Sequence, residues 1–158
     1  MTTINYRRRV AIKTGGSLAV IAAAISAGVL PVTAFAADWN KAAFDAKNMN
    51  DVLKAMGGSA AEKSGDIVIT APDIAENGAV VPIAVSSKIP NTQSISILVE
   101  KNPSSLAAEF EILAGTEANV GTRVKMGQSS NVHAVVKAGG KYYVATKEVK
   151  VTLGGCGG

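Results

Sequence analysis

The sequence predicts a mostly β protein, an antiparallel β-sandwich with a short helical segment before it and a glycine-rich tail after it. Three observations predict this. Beyond Ser64, seven short β-branched runs succeed one another, separated by Gly, Pro, Asn and Ser. Several alternate apolar with polar residues, as Val144-Ala145-Thr146-Lys147-Glu148-Val149-Lys150-Val151 does, which is the period of a strand with one buried face. Gly139-Gly140 stands between two such runs in KAGGKYY, a hairpin signal. Seven strands at this spacing make an antiparallel sandwich of immunoglobulin-like size. A Cys–Trp–Cys core is not expected, because Trp39 lies outside the strands and the single cysteine is Cys156.

Taken in order, residues 1–36 read as a targeting segment. Arg7, Arg8, Arg9 and Lys13 precede an apolar run from about Leu18 to Leu30, and Ala34-Phe35-Ala36 offers small residues for cleavage. RRRVAIK pairs Arg8 with Arg9 ahead of Ile12 and Lys13, the pattern of a twin-arginine signal. Gly28 and Pro31 break the run, which is shorter than the roughly 20 apolar residues of a membrane span. Export with cleavage after Ala36 is the expectation, with no membrane association afterwards.

Residues 37–63 read as helical. Trp39, Ala43, Phe44, Val52, Leu53 and Met56 recur at helical spacing, and Gly57-Gly58 ends the pattern. One helix or two short ones are expected, with a break near Asn48–Asn50 and a cap at Asn50 or Asp51. Residues 64–153 hold the seven runs, DIVIT, AVVPIAVSS, SISILVEK, LAAEFEIL, ANVGTRVKM, SNVHAVVKA and KYYVATKEVKVTL. The last leads into residues 154–158, GGCGG, with Val149, Val151 and Leu153 expected to anchor its base. Gly154, Gly155, Gly157 and Gly158 add no side chain to pack, so a mobile arm is expected. Five residues span at most about 17 Å, which puts the sulfur roughly 10 Å from the body.

The charge balance excludes one class of partner. The whole chain carries 16 Lys+Arg against 12 Asp+Glu. Residues 1–36 hold four of the bases and none of the acids, so residues 37–158 balance at 12 against 12. The net charge of +4 therefore belongs to the leader, and a nucleic-acid partner, which needs a basic patch on the domain, is not expected.

Catalytic groupings are sparse. His133, the only histidine, shares its phase in NVHAVVK with Val135 and Lys137, and is read as a residue on one sheet face. A zinc site built on it would need several carboxylates. Glu109 and Glu111 share a strand face, as alternating acids on a solvated surface do. No Ser/His/Asp array, phosphate loop or dinucleotide fingerprint is present, and no cofactor is expected. The chain is not expected to be an enzyme.

Cys156 is left as the reactive group. A free thiol has a pKa near about 8.5, so only a few per cent is thiolate at neutral pH. Nothing in the tail would activate it, and a nearby terminal carboxylate disfavours a second negative charge. It suits attachment better than catalysis. An odd cysteine in an exported chain points to intermolecular pairing or deliberate reactivity, so a β-sandwich interaction module cross-linked through Cys156 is the alternative. A terminal Gly-Gly also occurs in sulfur carriers that hold a thiocarboxylate, but those require adenylation in the cytosol.

The ending VKVTLGGCGG, with DIAENGAVVPI (Asp73–Ile83) and EKNPSSLAAEFEI (Glu100–Ile112), resembles the SoxY family, the sulfur-carrier subunits of the periplasmic thiosulfate-oxidising Sox system. The most specific part is Gly154-Gly155-Cys156-Gly157-Gly158. The resemblance implies a periplasmic heterodimer with a SoxZ-like β-sandwich subunit, expected to dock on an apolar strip of an edge strand. It implies that the haem enzyme SoxAX joins thiosulfate to Cys156, that the hydrolase SoxB releases sulfate, and that SoxCD, where present, oxidises the remaining sulfane sulfur.

Overall fold

The computed structural model describes residues 39–152. The expectations for the signal (residues 1–36, with Arg8 and Arg9) and for Leu153, Gly154, Gly155, Cys156, Gly157 and Gly158 lie outside the described residues. The chain divides into two units, Met1–Trp39 and Asn40–Gly158, and the architecture below is that of the second.

Two short helices come first, α1 at Lys41–Asp45 and α2 at Met49–Ala55. Asn40 Oδ1 accepts the Ala43 N–H at 3.1 Å, and Asn48 Oδ1 accepts the Asp51 N–H at 2.9 Å. The second helix thus starts from Asn48 rather than from Asn50 or Asp51. Asn48 is extended (φ −148°, ψ 162°), and its carbonyl already takes the Val52 N–H at 3.1 Å, so the two later residues are inside the first turn. At the other end Gly57 has φ +84°, the left-handed conformation that glycine adopts without a Cβ penalty. The Gly58 N–H then reaches Leu53 O at 2.8 Å and the Gly57 N–H reaches Lys54 O at 3.0 Å, a Schellman closure.

Nine strands follow. They are β1 Glu62–Lys63, β2 Ile67–Thr70, β3 Ile74–Ala75, β4 Val81–Ser87, β5 Thr92–Val99, β6 Leu106–Glu111, β7 Asn119–Val124, β8 Ser130–Ala138 and β9 Lys141–Val151. Seven of them are the seven runs of the sequence. A large sheet has the order β1-β9-β8-β5-β6, with β3 also on β9, and a smaller one has the order β2-β4-β7. The long pairs are antiparallel, as expected, and β8 turns into β9 through Gly139 (φ +57°) and Gly140 (φ +78°). The two extra strands run parallel to β9. They are two residues each and carry no periodicity, so no pattern announces them. They form because β9, eleven residues long, leaves an edge beyond β8 that two passing segments can pair with.

Two apolar clusters hold the layers together. Between the sheets, Ile67, Val81, Ile83 and Val85 face Ile95, Ile97, Val132, Val136 and Val149. On the outer face of the large sheet, Ala43, Val52 and Leu53 of the helices cover Leu98, Leu106, Val135, Tyr142 and Val144. Helices of five and seven residues are too short to persist alone. Burying Val52 and Leu53 supplies about 1.5–3 kcal/mol each, which is what holds them. The Tyr142 hydroxyl adds a hydrogen bond to Met56 O at 2.5 Å. This second layer also explains why β5 is buried on both faces from Ser94 to Val99, although its Ser-Ile-Ser-Ile pattern reads as half-solvated.

Candidate functional site

Because Cys156 lies beyond the described residues, the site is built from its root, the end of β9. Val149 is fully buried between the sheets, and Val151 packs against the same cluster. Along one edge of β9, Ile74 pairs with Lys150 and Ala75 with Val151. The Lys150 N–H donates to Asp73 O at 2.9 Å and the Thr152 N–H to Ala75 O at 3.1 Å. On the other edge the ladder with β8 starts at Ser130↔Val149, two residues short of covering Val151. There the Ser129 side chain stands in for a strand, its Oγ accepting the Val151 N–H at 2.9 Å.

The two body motifs quoted above converge on this root. In AENG, Asn77 Oδ1 accepts the Ala79 N–H at 2.9 Å, and Gly78 O accepts the Met126 N–H at 2.7 Å. Gly78 has no room for a side chain, since a Cβ there would stand 2.4 Å from Met126 O and 2.7 Å from Val151 Cγ1. In EKNP, Asn102 Nδ2 donates to Lys125 O at 2.7 Å while its Oδ1 accepts the Gly127 N–H at 3.3 Å. Both motifs therefore grip the turn Lys125–Gly127, which leads to Ser129 and the edge of β9. No periodicity in either motif announces these roles. Ser129 carried no signal at all, being one serine in a loop.

Lys147, one turn of the pleat earlier, donates to Ala71 O at 2.6 Å and lies 3.0 Å from Asp73 Oδ1. It ties the segment before β3 to β9. The seam between β6 and β7 opens nearby as a groove of about 420 Å³ with Arg123 and Lys125 on its lining. Its lining residues include no carboxylate, histidine or cysteine.

His133 sits on the helix-covered face of the large sheet, beside Val135, as its phase predicts. Its Nδ1 is 2.8 Å from Thr146 Oγ1, and its Nε2 is 3.6 Å from Glu100 Oε2, which also takes the Asn131 amide at 2.8 Å. Burial pushes the imidazole pKa below its ordinary value, and the Glu100 carboxylate pulls the other way. Glu109 and Glu111 share a face, as expected, but Glu109 is half-buried rather than solvated. Burial, then the neighbouring Glu111, raises its pKa, with Lys137 opposing. Neither acid is brought to the root or to His133. Among the described residues no three His, Cys, Asp or Glu side chains are grouped to hold a metal, and no helix is long and apolar enough to cross a membrane.

Comparison with known proteins bears on this geometry. No curated protein matches the sequence. Among solved structures, the chain is similar to the sulfur carrier protein SoxY from Chlorobium limicola f thiosulfatophilum, at 42% identity and a TM-score of 0.62, over 67% of this chain and 97% of that one. A bacterial superantigen, toxic shock syndrome toxin-1, matches at 14% identity and a TM-score of 0.39 over 54% of this chain and 99% of that one, too remote to carry an argument. The family model described as sulfur oxidation protein SoxY matches residues 52–156, from the second helix through the β-sandwich to the cysteine itself. This chain belongs to the SoxY family of sulfur oxidation proteins.

Proposed function

We propose that this chain is a covalent carrier of thiosulfate-derived sulfur, held on Cys156 and presented to partner enzymes in the periplasm. One observation carries the reading: the only cysteine falls in Gly154-Gly155-Cys156-Gly157-Gly158, a few residues beyond a strand end fixed along both edges. A fixed root with a slim, glycine-flanked thiol suits delivery into a narrow active site. Membership of the SoxY family and likeness to the Chlorobium sulfur carrier support the same role.

The chemistry divides between carrier and partners. In loading, the Cys156 thiol and thiosulfate form an S–S bond, lose the thiol proton and give up two electrons to a haem enzyme of the SoxAX type. The product is Cys156–S–S–SO₃⁻. In hydrolysis by a SoxB-like enzyme, water attacks the terminal sulfur, the S–S bond to the sulfonate breaks, and sulfate leaves with a persulfide retained on Cys156. A SoxCD-like enzyme, where present, oxidises that sulfane sulfur, and a second hydrolysis restores the thiol. The chain supplies no turnover of its own; it raises the effective concentration of the bound intermediate at each docked enzyme. A SoxZ-like subunit completes the carrier. The twin-arginine pattern at Arg8-Arg9 supports export.

The test is intact-mass spectrometry of the protein purified from cells growing on thiosulfate. Sulfur and thiosulfonate adducts are expected on Cys156 alone, and a Cys156→Ser strain is expected to lose thiosulfate-dependent respiration with the fold intact. An unmodified mass under every growth condition, or a Cys156–Cys156 disulfide dimer as the active species, would overturn the carrier reading.

A further inference from the structure

The root of the arm carries a surface feature that holding β9 does not require. Of the exposed large apolar side chains among the described residues, two fall within the segment Asp73–Val80: Ile74 at 59% and Val80 at 49% exposure. That segment is the one fixed to the end of β9. Asp73 O and Ala75 O take the Lys150 and Thr152 N–H groups, Gly78 O takes the Met126 N–H, and Asn77 closes the turn between the two apolar residues through the Ala79 and Val80 N–H groups. Ile74 and Val80 are thus displayed on a pre-formed loop, where little ordering entropy remains to be lost on binding.

We infer that Ile74 and Val80 form a docking collar around the arm root, contacted by the rim of the active-site mouth of the enzyme that loads sulfur onto Cys156. The inference rests on the carrier reading and follows from reach. Cys156 is the fourth residue after Thr152, at most about 14 Å of extended chain. Any active site that takes the sulfur therefore brings its mouth against the surface next to Thr152, and the Asp73–Val80 segment is bonded to that residue. Ile74 and Val80 give that contact its apolar area, which an opposing surface covers at a gain and solvent covers at a cost.

The experiment uses the carrier as purified from its cells, together with the haem enzyme that conjugates thiosulfate to it. Wild type, the double variant Ile74→Asp/Val80→Asp and a control, Val68→Asp/Leu113→Asp, are compared. The control positions are exposed at 46% and 72%, on β2 and in the β6–β7 loop. Loading is followed by intact mass, and accessibility of Cys156 by its alkylation rate with iodoacetamide. The collar variant is expected to lose about tenfold in the loading kcat/KM, chiefly through KM, with alkylation unchanged. The control is expected to stay within about twofold of wild type. Equal loading by the collar variant, or an equal loss in the control, overturns the collar. A collar variant with altered alkylation has lost its root geometry, and that result also overturns a contact role. A wild-type protein that alkylates but is never loaded overturns the carrier reading, and the collar with it.

Discussion

Gly78→Ala tests whether the arm root is as tightly built as its contacts say. The added methyl would stand 2.4 Å from Met126 O and 2.7 Å from Val151 Cγ1. The Val151 methyl can rotate away, but Met126 O is backbone, and the N–H of the same residue is held by Gly78 O at 2.7 Å, so it cannot yield without moving its strand connection. The loop must therefore back off, which weakens the Met126 N–H to Gly78 O bond. Loss of that bond costs about 0.5–1.5 kcal/mol, and residual overpacking about 1–3 kcal/mol. Gly78 is not among the glycines with positive φ, so alanine there also narrows the unfolded ensemble, a gain of about 0.4–1 kcal/mol. The net is a destabilisation centred on about 2 kcal/mol within a range of about 0.5–4 kcal/mol, or a Tm lower by about 8 °C at roughly 4 °C per kcal/mol for a domain of this size. Gly65→Ala is the matched control, since a Cβ there meets nothing within 4 Å. Calorimetry of both variants decides the matter. If Gly78→Ala melts with or above Gly65→Ala, the root is looser than its contacts imply and the account of the AENG motif is wrong.

Two pH-dependent outcomes follow from the large sheet. The imidazole of His133 has its pKa lowered in the fold, so the unfolded chain takes up the proton first as pH falls. Its contribution is present above the unfolded value and is lost on acidification, and His133→Gln should flatten the stability change between about pH 7.5 and 5.5. A variant that keeps the full slope in urea titrations would place its origin elsewhere. Glu109 is the opposite case, a carboxyl with a raised pKa, whose ionisation in the fold opposes stability above that pKa. Glu109→Gln should be more stable than wild type at neutral pH, with the advantage vanishing under acid; a loss of stability at pH 7 would mean the carboxylate is held by a partner that burial does not reveal.

How legible the molecule was depends on whether a residue's role is periodic. The seven long strands follow from apolar alternation, and Val149 and Val151 follow from their phase in the last one. The helix start at Asn48 was misplaced by two or three residues, because Asn48, Asn50 and Asp51 are all good caps and only the backbone decides among them. Strands β1 and β3 were invisible, since two residues cannot show a period and their pairing depends on where the chain passes. Glu109 was misjudged because its burial comes from its surroundings in the fold, which its own strand does not encode. For the candidate site, GGCGG points to Cys156 in the sequence, while the foundation at the end of β9 is not legible there. Asn77, Gly78 and Asn102 stand inside the motifs DIAENGAVVPI and EKNPSSLAAEFEI, yet that they meet at one turn beside Ser129 is a property of the fold alone.

One of the two shortest strands, β3, explains something about the whole design. A last strand that continues into a tail is an edge hazard, since its unpaired N–H and C=O groups can recruit another chain. Here β3, only Ile74 and Ala75, lies parallel along that edge of β9, and its neighbourhood takes the Lys150 and Thr152 N–H groups. On the opposite edge, Ser129 occupies the Val151 N–H where β8 has run out. The donors of Lys150, Val151 and Thr152 are thus all taken. A missing β3 would leave that edge open to other strands. Two residues close the edge up to Thr152 and stop there. The pairing with β3 and the Ser129 side chain thus close both edges of β9 up to Thr152, which leaves no ladder donor of Lys150, Val151 or Thr152 open to another chain.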